Sequence, residues 1–276
     1  MKIRDYLVLG LVLLVFGTYA GILLWNIWPI EEISVAKSGV FGDSFGVLNA
    51  LFSGLAFGGL LITVLYQRED LGLTKEELKL TRDEIKAQHL ETTFFHMLRL
   101  HQDVVTGIDL QRQTNKGQQE TKGRDCFRVF RQRLEWPYED AKRANPNGGE
   151  RVFVTKAYDS MWEQSQSDLG HYFRGLYNVF RYLSEHDFND KKQYGNIARA
   201  QLSDLELIVL FYNCLSERGK NFIRYAKEFA IFDNLDLSLL LNKEHVRLLD
   251  REAFGSNAEA LTLYSTGTAQ KTAQAG

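Results

Sequence analysis

The sequence predicts an all-α protein with an N-terminal two-helix transmembrane hairpin, a long connecting stalk helix and a helical bundle domain. Apolar residues are concentrated in the first quarter of the 276 residues, and no later segment shows the sustained alternation of a β-strand. Only three prolines interrupt the chain. We therefore predict a hairpin over residues 1–66, a stalk over 67–91, a cytoplasmic helical domain over 92–255 and a disordered tail over 256–276.

Composition excludes several classes of protein. The formal net charge of −2 is too close to neutral for a nucleic-acid binder that acts through bulk positive charge, or for an acidic disordered protein. The two cysteines, Cys126 and Cys214, are too few for a disulfide framework or a usual four-ligand zinc site.

Two uncharged segments, residues 6–28 and 45–66, have the length of membrane spans. A helix over the first rises about 34 Å, which exceeds a hydrocarbon core of about 30 Å. Asp43 or Ser44 is expected to cap the second helix. A cleavable signal peptide is the alternative for the first segment, but its apolar run continues well past the small residues near Ala20.

The flanking charges predict the topology. Lys2 and Arg4 precede the first span, and Arg68 opens a lysine- and arginine-containing segment after the second. Positively charged flanks stay on the cytoplasmic side. We expect a multi-pass membrane protein, in contact with the lipid bilayer, with both termini in the cytoplasm.

Small residues recur at four-residue spacing within both spans. They are Gly42, Gly46, Ala50, Gly54 and Gly58 in the second span, with Gly17 and Gly21 in the first. Such stripes allow close approach of membrane helices, so we predict that they pack on each other or on another subunit. Neither span contains an ionisable side chain for an ion or proton pathway, which disfavours a transporter.

The stalk has half of a coiled-coil pattern. Apolar residues alternate with polar ones at the complementary heptad positions, namely Leu71, Leu78 and Ile85 with Thr74, Thr81 and Gln88. Two interpretations stay open: a weakly paired stalk in a homo-oligomer, or a surface helix that lies on its own domain.

The remaining chain reads as helices separated by polar turns. We predict helices over Arg124–Glu135, Arg151–Gln166, Leu169–Glu185, Lys191–Ala200, Leu205–Leu215, Glu217–Ala230 and Leu235–Leu249. Gln111–Gly123 is predicted to be a loop because it is polar and contains glycine. Ser203 and Glu206 have the spacing of a capping box at the start of the most apolar helix.

Enzyme signatures are sparse. His96 and His101 are five residues apart and lack the acidic residue of a metal motif, so no metal site is predicted. The glycine-rich phosphate loops and the nucleophile elbow are absent from the sequence, and no cofactor is predicted.

One short spacing supports an alternative function. Arg181 and His186 resemble the ribonuclease signature of HEPN domains, in which an arginine would hold the scissile phosphate and a histidine would transfer a proton. A two-residue match has little specificity, so catalysis is the alternative and RNA is a partner only under it.

The segment from Asp168 to Ser216 carries more information. It reads His171-Tyr-Phe-Arg174-x-Leu-Tyr177-x3-Arg181-Tyr, followed by Tyr194-x4-Arg199-Ala-Gln201-Leu-Ser203-x2-Glu206-Leu-x3-Phe211-Tyr-Asn213. Together with Thr93-Phe-Phe-His-Met-Leu, it resembles phage abortive infection proteins of the AbiC type from about Leu71 to Leu235. The resemblance implies a bacterial antiphage role and an N-terminal pair of membrane spans, and it supplies no catalytic residues.

Polar residues within this segment form the candidate site. They are His171, Arg174, Tyr177, Arg199, Gln201 and Asn213. Lying among aromatic and leucine positions, they either line a recognition pocket or form internal hydrogen bonds, and we favour the structural role because buried polar groups need partners. The leading hypothesis is a membrane-anchored antiphage protein that acts through interactions with an unknown phage or host trigger. A structural membrane scaffold without a defence role is the third hypothesis.

Overall fold

The computed structural model describes residues 3–28, 35–114 and 117–274, which are almost entirely helical. The helices are α1 (Ile3–Ile27), α2 (Val35–Thr106), α3 (Cys126–Ala144), α4 (Glu150–Glu163), α5 (Gln166–Glu185), α6 (Lys191–Ala200), α7 (Asp204–Leu215), α8 (Ile223–Glu228) and α9 (Ala258–Gln274). The predicted all-α class is therefore confirmed. The chain divides into two units, Met1–Thr81 and Arg82–Gly276, and α2 contributes residues to both.

The first unit consists of α1 and the N-terminal part of α2. The ring of Tyr19 meets the edge of Phe45 with ring centroids 5.8 Å apart. Among the described residues, one helix is long and apolar enough to cross a membrane, the part of α2 that begins at Leu48, while the apolar segment Gly10–Asn26 of α1 is shorter.

Helix α2 begins ten residues before the start of the second predicted span at residue 45. It already includes Val35, so Asp43 and Ser44 lie inside the helix and the predicted cap is wrong. No proline occurs between Val35 and Thr106. The backbone N–H groups near Asp43 and Ser44 are therefore bonded within the helix. No free N–H group is left there for a capping side chain to accept.

Helix α7 is the central helix of the second unit. Every residue from Glu206 to Leu215 is buried. The predicted capping box is present: the Ser203 hydroxyl accepts from the Glu206 backbone N–H, and the Glu206 carboxylate accepts from the Ser203 backbone N–H at 2.8 Å. Helix α3 packs against both α4 and α7, and this helical layer forms the main core.

Helix α3 passes through a proline. It continues from Cys126 to Ala144 although Pro137 lies inside it, so the predicted end at Glu135 is wrong. Leu134, Tyr138 and Ala141 lie on one face and are all buried. Burial of this face offsets the hydrogen bond that proline removes.

Two predicted helices near the C-terminus are broken into short turns. Glu217–Ala230 forms a 3-10 turn followed by the short α8, and Leu235–Leu249 contains only 3-10 turns at Leu237–Leu239 and Lys243–Leu248. The side chains of Asp236 and Asn242 accept from backbone N–H groups two residues ahead. Such local bonds compete with the helical ladder, which explains the difference.

Gln111–Gly123 is not a loop. The structure forms an antiparallel hairpin from β1 (Asp109–Thr114) and β2 (Gly117–Lys122). Its side chains are mostly polar and lack the alternation of a half-buried strand, while the pairing is made by backbone groups of any residue type. Gly123, with φ of +58°, then turns the chain into a 3-10 turn that precedes α3.

The C-terminal segment also differs from the expectation of a disordered tail. Helix α9 occupies Ala258–Gln274, within the predicted tail 256–276. Ala260 is fully buried, and the Tyr264 hydroxyl donates to the Val246 carbonyl at 2.7 Å. These two contacts anchor the first turns of a segment whose composition is otherwise small and polar.

Candidate functional site

A cleft of about 710 Å³ opens in the second unit between α5, the end of α4 and the segment that follows α7. Its lining residues are Trp162, Gln166, Gly170, Phe173, Arg174, Tyr177, Asn178, Asn213, Arg218, Gly219, Asn221 and Phe222. Three of the six predicted polar residues, Arg174, Tyr177 and Asn213, lie in this lining.

The periodicity of α5 explains why its polar residues face the cleft. Leu169, Tyr172 and Leu176 belong to its buried face. Residues three, four and seven positions apart share one side of a helix, so Gly170, Arg174 and Tyr177 form a second stripe. That stripe is the α5 wall of the cleft.

Two guanidinium groups line the cleft, and none of its described lining residues is acidic. Arg174 is exposed and has no ion-pair partner within the described residues. Arg218 lies over the Trp162 ring at 5.2 Å and faces Asp159 at 3.9 Å, outside the lining. The cleft therefore carries an excess of positive charge beside aromatic surface, which favours an anionic ligand.

The floor of the cleft is held by Asn213. This side chain is only 4% exposed, and its amide donates to the Tyr158 hydroxyl at 2.5 Å. A Cβ on Gly219 would lie 2.3 Å from the Asn213 side-chain oxygen, so only glycine permits the approach. Asn213 has the structural role that the sequence analysis favours, while its neighbours remain open to solvent.

Tyr177 contributes one wall. Its hydroxyl accepts from the Arg224 guanidinium at 3.2 Å, and its ring meets Tyr225 edge-on with centroids 5.3 Å apart. These contacts hold the ring at the boundary between α5 and α8, where it forms apolar cleft surface.

The other three predicted site residues lie elsewhere. His171 is exposed on α5 but does not line the cleft. Arg199 donates to the Ala230 carbonyl at 2.9 Å and pairs with Asp233 at 3.2 Å, where both side chains are largely buried. Gln201 accepts through its backbone carbonyl from Arg124 at 2.8 Å. Arg199 and Gln201 therefore connect helices to loops.

The two residues of the alternative catalytic pair contact other groups of α5. Arg181 pairs with Glu185 at 3.6 Å, and a ring nitrogen of His186 lies 2.9 Å from the Tyr182 carbonyl. Positions five apart are separated by about 140° around a helix. His186 is half-buried against the Tyr182 ring, and neither residue lines the cleft.

Sequence reasoning missed a buried polar network around His245. The Tyr212 hydroxyl and His245 Nδ1 are 3.0 Å apart, and His245 Nε2 is 3.0 Å from Glu150. The Leu241 N–H donates to Tyr212, so the Tyr212 hydroxyl is assigned as donor to Nδ1, and Nε2–H donates to Glu150. Tyr212 and His245 are fully buried. This arrangement ties the C-terminal turns to α4 and α7.

A second buried imidazole belongs to His101 of α2. It is almost fully buried against the Tyr172 ring, with ring centroids 4.9 Å apart. Burial, together with the nearby Arg124 charge, lowers the pKa of His101 to about 4. The imidazole is therefore neutral in the folded protein at neutral pH.

The described residues contain no cluster of histidine, cysteine, aspartate and glutamate suited to a metal ion. Cys126 and Cys214 are both buried, and burial raises the pKa of each thiol. A buried thiol with a raised pKa is a poor nucleophile.

Part of the chain matches a known family. Residues 164–239 match the family model described as "Putative phage abortive infection protein". The resemblance inferred from the sequence is confirmed over this segment, which contains every cleft-lining residue except Trp162. No curated protein and no solved structure matches the chain.

Proposed function

We propose that this chain is a membrane-anchored antiphage protein of the abortive infection kind, whose helical domain acts by binding a phage or host trigger. The observation that carries this proposal is the family match over residues 164–239, because it coincides with the cleft. A segment that builds a surface cleft with two arginines is suited to recognition.

The membrane anchor is the second part of the proposal. We propose that α1 and the N-terminal part of α2 form two spans in the bacterial inner membrane, with both termini in the cytoplasm. The apolar helix that begins at Leu48 and the positive residues outside the two uncharged segments support this topology. Cysteine accessibility on intact and lysed cells tests it, with labelling sites introduced in the segments before α1 and after residue 66.

The cleft is proposed to bind an anionic trigger. Arg174 and Arg218 offer charge-assisted hydrogen bonds, and Trp162 and Tyr177 offer aromatic surface beside them. Reversal of either charge by Arg174→Glu or Arg218→Glu should abolish recognition with little loss of stability, because both arginines are exposed.

Phage challenge of bacteria that express these variants tests the proposal. The parent should protect the culture at low multiplicity of infection and allow culture collapse at high multiplicity, while the charge-reversal variants should not protect. Arg128→Glu is the matched control, since Arg128 of α3 is also an exposed helical arginine but lies outside both the cleft and the alternative catalytic pair. Equal plaque counts with and without the parent protein would refute antiphage activity and favour a scaffold role.

A further inference from the structure

Helix α2 carries an exposed apolar seam. The seam residues Leu71, Leu78 and Ile85 are between 53% and 60% exposed in the single chain. Residues seven apart in a helix lie on nearly the same side, so these three form one stripe.

Two of the three complementary heptad positions, Thr74 and Thr81, can be buried without leaving a polar group unpaired. The Thr74 hydroxyl donates to the Asp70 carbonyl, and the Thr81 hydroxyl donates to the Glu77 carbonyl, both at 2.8 Å. Each hydroxyl is thus satisfied within its own helix, and a helix packed over it would leave no unpaired donor.

Five of the six residues that flank the seam carry a formal charge, basic on one side and acidic on the other. With Leu71 at heptad position a, the e positions are Lys75, Arg82 and His89, and the g positions are Asp70, Glu77 and Glu84. All six side chains are exposed, and none forms an ion pair within the part of the chain that the structure describes.

This separation of charge selects both the partner and its direction. In a parallel pair of identical helices, each g residue meets the e residue of the following heptad on the second copy. Asp70, Glu77 and Glu84 would then face Lys75, Arg82 and His89 of the second copy. In an antiparallel pair, e residues meet e residues and g residues meet g residues, which places like charges together.

The end of the pattern coincides with a change in the surroundings of α2. Leu90 packs on the core of the second unit, and the Glu91 carboxylate accepts from the Tyr194 hydroxyl at 2.6 Å. The next g position is therefore already occupied by a contact within its own chain, and the seam ends at Gln88.

We infer that α2 binds a second copy of this chain as a parallel, in-register coiled coil over residues 70–89. The occupant of the seam is identified by charge complementarity, because the flanking charges of one copy match those of a parallel copy. The inference depends on neither the membrane anchor nor the antiphage role.

Disulfide cross-linking of the full chain tests direction and register together. Thr74→Cys places one thiol at a seam position that faces its own counterpart only in a parallel, in-register pair. Leu73→Cys is the matched control, since Leu73 is equally exposed and lies about 200° around the helix from Leu71. We expect a cross-linked dimer for Thr74→Cys and little for Leu73→Cys. Equal cross-linking of both variants, or none at Thr74→Cys, would overturn the inference.

Charge reversal tests the flanking pairs in the Thr74→Cys background. Glu77→Lys with Glu84→Lys makes both flanks basic, and Lys75→Glu with Arg82→Glu makes both acidic. Each doubly substituted chain alone should lose cross-linking through like-charge repulsion, and co-expression of the two should restore a mixed dimer. Retained cross-linking in each alone, or no mixed dimer, would contradict the charge-based assignment. Because the measurement needs no phage, its failure is distinguishable from failure of the proposed function.

Discussion

The two units differ in the exposure of their large apolar side chains. In the second unit, Phe127 and Phe211 are fully buried, and every residue of α7 from Glu206 to Leu215 is buried. In the first unit, Leu13 is 65% exposed and Leu55 is 63% exposed. The second unit buries its large apolar side chains within itself, whereas the first presents them at its surface, and exposed apolar surface of this extent marks a site of contact.

The largest expected effect is a loss of stability of the second unit alone. Phe211→Ala should lower the free energy of unfolding of this unit by about 3–5 kcal/mol, because it removes a ring that is fully buried in α7. Chemical denaturation of the purified full chain measures the change. Leu55→Ala is the control: the comparison predicts no shift of this transition, and equal losses would show that the two units are not energetically distinct.

A pH dependence of similar size is expected from His101. Its pKa is about 4 when folded and 6.5 when exposed, so between these values the unfolded chain binds more protons. Stability should therefore fall as the pH decreases from 6.5 to 4, by about 3 kcal/mol from this group. Denaturation midpoints across this range, compared between the parent and His101→Gln, isolate the contribution. A parallel pH profile in the variant would assign the dependence to other groups.

An intermediate effect separates a largely buried polar residue from a half-buried one. Arg199→Ala removes the ion pair with Asp233 and the hydrogen bond to the Ala230 carbonyl, which should cost about 1–3 kcal/mol and remove phage protection through folding. His186→Ala removes a half-buried ring that contacts Tyr182, which should cost about 1 kcal/mol and retain protection. Thermal unfolding and plaque counts on both variants test this. Loss of protection in well-folded His186→Ala, with RNA cleavage by the parent only, would instead support the ribonuclease alternative.

The smallest effect on the stability of the second unit is expected from substitutions in the first unit. Gly54 and Gly58 have open space within 4 Å of where a Cβ would lie, so a Cβ at either position meets no other segment of the described chain. Gly54→Ile and Gly58→Ile should leave the unfolding of the second unit unchanged and reduce oligomer size in detergent, if the stripe packs between copies. Unchanged oligomer size would identify the stripe as surface that no helix contacts.

Some elements of the fold could be predicted from the sequence, and others could not. Helix α6 was predicted with its observed bounds, and the capping box of α7 was read from Ser203 and Glu206, because caps and apolar periodicity are local signals. The β1–β2 hairpin and the 3-10 turns after Leu235 were missed. Their backbone bonding depends on pairing partners and side-chain acceptors that no local pattern of hydrophobicity reports.

The candidate site could also be predicted only in part. The sequence indicated a polar, aromatic segment, but it could not distinguish Arg174, which lines the cleft, from Arg199, which anchors a loop. Arg218 and Trp162 were missed because they lie outside the α5 pattern and reach the cleft from the ends of other elements.

By itself, the sequence determined the helical class, the uncharged N-terminal segments and the heptad pattern of α2, including the charges that flank it. These features depend on residue spacing along one chain, and hydrophobic burial and charge act on that spacing directly. Only the tertiary structure decided which polar side chains meet at the cleft and that His101 and His245 are buried. Those outcomes depend on packing between segments far apart in sequence, such as Glu150 with His245, and the physical reason is that long-range contacts leave no periodic trace in either segment.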